Sequence, residues 1–223
     1  MNKLKTTLLA LMFGVVTTPL LAGSSDHAGP FIAVQGQSAG VALNGSYIDS
    51  DLVTTEGTGG KLVQIGSAEI GYNIPVGDLF FVTLGYGVSP GSAAISHADD
   101  AADAADVRVE ASDFETYYIA PSIAVSESSA LYIKLGSSTA DVAATGDFTG
   151  TSSKELDGDL YAFGSTTMFP SGIFVKAEAG IIEYDNIFVN DIGTVDSESV
   201  KGTGDVNADP SMAYGGVTLG YKF

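Results

Sequence analysis

The chain has 223 residues, a length that suits one domain, and it has no Cys, which excludes disulfide frameworks and thiol chemistry. Asp and Glu total 27 against 9 Lys and Arg, a formal net charge of −18, so the phosphates of nucleic acid would be repelled. Disorder, the other class so acidic a composition suggests, is excluded by a hydrophobic fraction of 45% arranged in regular strand patterns.

In chain order, Lys3 and Lys5 precede an apolar run from Leu8 to Val16, and Leu20, Leu21 and Ala22 lead into polar Gly23-Ser24-Ser25-Asp26. This is the layout of a secretory signal peptide over residues 1–22, cleaved after Ala22. The run is too short for a helix that stays in a membrane. Without Lys3 and Lys5 the mature chain carries a net charge of about −20. No later apolar run approaches the length of a spanning helix, so a membrane-resident mature chain must cross as a closed barrel.

Eight stretches alternate apolar and polar residues with the period of a strand: 29–41, 61–74, 79–88, 113–125, 130–142, 159–169, 172–184 and 211–223. Each is about as long as a tilted strand needs to cross hydrocarbon. Three connections are short and rich in turn formers: Pro75-Val76-Gly77-Asp78, Ser126-Glu127-Ser128-Ser129 and Pro170-Ser171. Four are long: 42–60, 89–112, 143–158 and 185–210. Long and short alternate strictly. An even-numbered meander then gathers every long loop at one end and both termini at the other. The expected fold is all-β, an eight-stranded antiparallel up-and-down barrel, and the 28 Gly suit its crowded strands. The long loops hold most of the acids, among them Glu56, Asp157 and Asp209. A soluble lipocalin-like barrel shares the strand count but has no need of an outward apolar face.

Such a face is present. Phe80, Val82, Leu84, Tyr86 and Val88 form one row, and Tyr117, Ile119, Pro121, Ile123 and Val125 the next. Leu131, Ile133 and Leu135, then Ile173, Val175, Ala177, Ala179 and Ile181, continue it. The opposite registers hold Glu69, Tyr118, Lys134, Lys176 and Glu178. A charge facing lipid at mid-membrane costs ~2–4 kcal/mol, so these residues must face the lumen. Two acids and two bases inside a barrel this narrow are expected to pair in one network within a polar, plugged interior. The functional alternative is that they line a gated pore. Tyr72, Phe81, Phe169, Phe174, Tyr221 and Phe223 near the turn end, with Tyr47, Tyr117, Tyr161 and Tyr184 near the loop end, are expected as aromatic girdles, since Trp is absent.

Chemistry-bearing residues are sparse. His27 follows the signal, and His97 lies beside Asp99 and Asp100 in the second long loop. A base oriented by a carboxylate is conceivable there, but the spacing is unspecific and no second acidic pair accompanies it, so no catalysis is expected. Asp99, Asp100, Asp103 and Asp106 are hard oxygen donors suited to Ca²⁺ or Mg²⁺. They lack the glycine and terminal glutamate of an EF-hand and are read as a solvated acidic loop, with no metal and no cofactor. Gly57-Thr58-Gly59-Gly60 lacks the Lys and helix of a phosphate loop.

The last strand completes the pattern. Ala213, Gly215, Val217, Leu219, Tyr221 and Phe223 form an apolar face that ends in aromatics. Together with the signal segment and the alternating loops, this terminus resembles that of small eight-stranded bacterial outer-membrane barrels, the OmpA-transmembrane-domain and OmpX-like superfamily. The resemblance implies an outer-membrane location in a Gram-negative bacterium, with loops extracellular and termini periplasmic. It also implies surrounding lipid and lipopolysaccharide, and a barrel-assembly machinery that reads Tyr221 and Phe223. The expected role is structural or surface-interacting (adhesion or envelope integrity), with a loop-bound extracellular ligand. The alternative is a narrow porin-like channel, whose acidic mouth would concentrate cations.

Overall fold

A computed structural model describes residues 23–48, 54–97, 107–146, 152–189, 195–196 and 206–223. The expected signal segment 1–22 and the aspartates Asp99, Asp100, Asp103 and Asp106 lie outside the described residues. A 3-10 turn, Ser24–His27, precedes β1 (Gly29–Ile48), β2 (Thr54–Val76), β3 (Phe80–Ser89), β4 (Ala93–His97), β5 (Val107–Ala124), β6 (Ser129–Gly146), β7 (Ser152–Met168) and β8 (Ile173–Tyr184). Then come the short β9 (Ile187–Val189) and β10 (Val195–Asp196), and finally β11 (Val206–Lys222). Eight of these make the wall in the order β1-β2-β3-β5-β6-β7-β8-β11, every pairing is antiparallel, and β11 closes back on β1. β4 extends the wall on β5, while β9 and β10 extend it beside β11. Among the described residues no helix is long and apolar enough to cross a membrane.

The register sets the barrel's dimensions. Following cross-strand partners from Ser129 through Thr167, Val175, Leu219, Val34, Ala68, Val88 and Glu115 returns to β6 at Thr139, a stagger of ten residues, from 129 to 139. Eight strands with that stagger tilt by roughly 40° around a wall of roughly 8 Å radius. Turns at the lower end are tight, and Gly77 (φ 69°) and Gly172 (φ 85°) occupy the left-handed region that favours glycine.

The strands run well past the expected boundaries. Among the described residues the ladder continues through 42–48 and 54–60, 93–97 and 107–112, 143–146 and 152–158, and 187–189 and 206–210, so these parts of the long loops are extended arms of the wall. At about 3.4 Å per residue and the tilt above, the 23 residues of β2 rise roughly 60 Å, twice a ~30 Å hydrocarbon layer. The apolar alternation stops where lipid would stop. Beyond it the ladder is built from Thr, Gly, Ser and acids, which carry no outward apolar signal.

The wall changes character at the same height. In the lower half the outward side is apolar: Val34, Ile70, Phe80, Val217 and Leu219 are each more than half exposed. A continuous exposed belt of this kind needs an apolar surrounding. Ile133 keeps the outward register but is buried beside its cross-strand partner Phe163. In the upper half the outward side is polar, with Asp141, Glu155, Asp157 and Asp209 exposed. There Leu156, Ile187 and Ala208 are buried inside, and Val142, Leu160, Ile182 and Met212 continue this apolar interior on the strands below them. The expectation of a polar, plugged interior is therefore corrected for the upper part of the barrel, where the interior is apolar. The arms stand in water and pack like a soluble barrel, because water outside drives apolar side chains inward. The girdle assignment changes too. Phe81 and Phe174 are buried in the lumen, and Tyr184 reaches the buried Ser138 from inside. All three occupy the inward register, which proximity to a strand end does not reveal. Tyr72, Tyr117, Phe169, Tyr221 and Phe223 are exposed on the outer side, and Tyr161 is half-buried in the outward register. The side chain of Tyr47 lies outside the described residues.

Candidate functional site: the lumenal charge network

Glu69 on β2, Lys134 on β6, and Lys176 and Glu178 on β8 point inward because each sits in the register opposite the apolar belt. The stagger brings them to one level. Lys134 Nζ lies 2.8 Å from Glu178 Oε2 and 3.4 Å from Glu69 Oε2, and Lys176 Nζ lies 2.6 Å from Glu69 Oε1. The result is a chain of alternating charge, Lys176–Glu69–Lys134–Glu178, in which two positive and two negative groups balance. Glu69, Lys134 and Glu178 are buried, and Lys176 is half-buried.

Tyrosines complete the network. Tyr132 Oη donates to Glu178 Oε2 and Tyr214 Oη donates to Glu178 Oε1, both at 2.8 Å. Lys134 Nζ also stands 4.3 Å from the centre of the Tyr118 ring. Lys176 Nζ stands 4.3 Å from the centre of the Phe31 ring, which meets Phe174 edge-on. A buried charge is tolerated only when paired and hydrogen-bonded, and Glu178, with one ammonium and two hydroxyls, meets that condition fully.

Tyr132 and Tyr214 were not foreseen as partners of the network. Their register pointed inward, but which strand faces them across the lumen follows only from the stagger. A second unforeseen device is glycine. A Cβ on Gly164 would lie 2.5 Å from Tyr132 Oη, and one on Gly180 would lie 2.8 Å from Tyr214 Cζ. Gly85 stands against Tyr118 in the same way. Each tyrosine of the network thus lies over a lumenal glycine, which leaves room for a ring in a narrow barrel.

The network divides the lumen. Above it a cavity of about 50 Å³ lies between Gln35, Gln37, Thr116 and the apolar core. Below it a cavity of about 20 Å³ lies between His27, Thr83, Ser122 and Lys176. Room for one water takes roughly 10–15 Å³ by this measure, so neither chamber holds more than a few. The lower mouth is closed by the turn before β1. Ser24 N donates to Asp78 O at 2.8 Å, Ser24 Oγ bonds the Gly77 carbonyl, and Asn73 Nδ2 donates to His27 O at 2.8 Å. His27 is fully buried and stacks on Phe81 at 5.0 Å between ring centres.

The remaining expected residues lie apart from this network. Tyr221 and Phe223 meet edge-on at 5.1 Å on the outer side of the lower rim, and Phe223 N donates to Pro30 O at 3.0 Å. His97 closes β4 in the upper wall. Among the described residues no group of three or more His, Asp or Glu is placed to hold a metal ion.

No family model matches the sequence, and no curated protein matches it. Several solved structures resemble the fold. OprG, an outer membrane protein from Pseudomonas aeruginosa, matches with a TM-score of 0.53 at 14% identity, over 88% of this chain and 97% of that one. Ail, the attachment invasion locus protein of Yersinia pestis, solved with the heparin analogue sucrose octasulfate, gives 0.43 at 12% identity, over 86% and 99%. The outer membrane protease OmpT from Escherichia coli gives 0.42 at 10% identity, over 93% and 100%. At these identities the likeness is one of fold. The chain shares the outer-membrane β-barrel fold of OprG, here eight antiparallel strands closed on themselves.

Proposed function

We propose that this chain is a non-enzymatic integral outer-membrane barrel of a Gram-negative bacterium, with its long arms outside the cell and both termini in the periplasm. Its role is structural or surface-interacting (adhesion or envelope integrity), and the arms are its working surface. The observation that supports this best is the filled lumen: among the described residues a charge-balanced plug in the membrane half and an apolar core in the arms leave chambers of only about 20 and 50 Å³. The apolar belt fits lipid and lipopolysaccharide. The terminal pair Tyr221 and Phe223 is offered to the assembly machinery, and residues 1–22 direct export and are removed. A strongly acidic outer surface favours basic partners over anionic ones.

Single-channel recording tests this reading. The mature chain in a planar bilayer is expected to be silent. Steady conductance, with an ion preference that shifts in a Lys134→Ala, Lys176→Ala double variant, would instead establish the narrow channel.

A further inference from the structure

We propose that the turn Ser24–His27 is a pH-released stopper of the lower mouth, seated while His27 is neutral and withdrawn when His27 gains a proton. The seat is built for a neutral ring. His27 is fully buried, its ring lies nearly parallel to Phe81 with 9° between planes, and neither ring nitrogen makes a hydrogen bond of good geometry, the Ser126 backbone being the nearest such influence. The cavity it borders is too small to hydrate an imidazolium, which needs a shell of water or a facing carboxylate.

Among the described residues no carboxylate bonds the ring. On its own turn Asp26 is exposed. From β11, Lys222 Nζ reaches in and bonds the Asp26 carbonyl. The β2–β3 turn offers Asp78, whose backbone carbonyl holds Ser24 N. Across the chamber stand Lys134 and Lys176, and both nearby carboxylates, Glu69 and Glu178, are already paired to them. β2 and β3 present the neutral Asn73, Phe81 and Thr83, and Ser126 lies on the β5–β6 turn. Burial is the largest influence and holds the imidazole below its ordinary 6.5 against the opposing pull of the Ser126 backbone, which comes next in size; Lys222 adds to the lowering and Asp26 opposes it.

The direction of the effect follows. A group whose proton affinity falls on seating stabilises the seated form above the free value of about 6.5 and loses that contribution as pH falls below it. Few interactions oppose release, because the turn is held by the Ser24, Asn73 and Lys222 bonds and one ring stack. Withdrawal would expose the lower chamber and the underside of the charge network to water.

The absence of cysteine allows a direct test. Ser24→Cys places a single thiol in the seat, and Ser128→Cys places one on an exposed turn as the reference. Both barrels, in lipid nanodiscs, are labelled with a water-soluble thiol reagent, and the ratio of the two rates cancels the thiol's own pH dependence. The ratio is expected to rise by about tenfold or more between about pH 8 and about pH 5, and to stay flat and low in Ser24→Cys with His27→Phe, which keeps the stack but cannot titrate. A flat ratio with His27 present, or an equal rise with Phe in its place, would overturn the proposal. Should His27→Phe fail to seat, the imidazole's own titration decides. In a His97→Asn background its NMR midpoint must coincide with the labelling transition, and a midpoint displaced by a full pH unit overturns the proposal.

Discussion

Lys134 is the keystone of the lumen, and replacing it by Met is the sharpest test of how the barrel is held. The ammonium contacts Glu178 at 2.8 Å and Glu69 at 3.4 Å. At an effective dielectric near 20 those separations correspond to attractions of roughly 6 and 5 kcal/mol. Keeping the ammonium out of water costs several kcal/mol, which the substitution returns. The net loss is then ~3–5 kcal/mol, the range seen when one member of a buried pair is removed. Glu178 keeps its two tyrosine donors and Glu69 keeps Lys176, which places the expectation toward the lower end of that range. Each 1.4 kcal/mol is tenfold, so the unfolding equilibrium should shift by about two orders of magnitude or more. Urea unfolding in lipid vesicles, read from folded and unfolded gel bands, measures it. Lys61→Met, at an exposed position, is the control and should move stability by no more than about 0.5 kcal/mol. Adding Glu178→Gln to Lys134→Met removes the stranded charge and should restore at least about 1 kcal/mol. If Lys134→Met matched the Lys61 control, the network would be bystander chemistry and the pairing argument would fail.

Other consequences can be checked with the same unfolding assay. Gly164→Ala forces a methyl against Tyr132 Oη and should cost ~1–3 kcal/mol by overpacking, whereas Gly36→Ala, whose Cβ would meet nothing within 4 Å, should be nearly silent. Leu156→Ala in the core of the arms should cost ~2–5 kcal/mol, and a negligible loss would show that the arms do not pack as a core. Asp141 and Glu155 are cross-strand neighbours of like charge on the outer side. Asp141→Lys should therefore gain ~0.2–1 kcal/mol at low salt, and the gain should shrink as salt rises. Deleting Phe223 should lower the yield of assembled barrel in cells while leaving refolding into detergent unchanged; equal losses in both would assign Phe223 to stability instead of assembly.

Much of the lower barrel was legible in the sequence, because a membrane writes a strong rule into it. Lipid outside and a narrow lumen inside force a period-two alternation, and parity alone assigned Glu69, Tyr118, Lys134, Lys176 and Glu178 to the lumen. The short turns and the long connections ordered the meander. Above the lipid the rule reverses and its signal weakens. The polar ladder of Thr54–Gly60 reads as loop, and the inward Leu156, Ile187 and Ala208 read as scattered apolar residues. Parity also says nothing about height. It puts Phe81 and Phe174 in the inward register, but it could not tell that they stand beside Lys176, at a level similar to the outward Tyr72 and Tyr221.

What tertiary structure decided was which inward residues meet. The ten-residue stagger, closed by β1 on β11, sets residues 44 and 109 positions apart in the chain, Glu178 with Lys134 and with Glu69, around a single ammonium. It lays tyrosines over glycines of neighbouring strands, and it brings the turn before the first strand under the barrel to close it. Alternation is local and survives in any register, whereas partnership across a lumen depends on tilt and closure. Those are properties of the whole ring of hydrogen bonds and of no single strand within it.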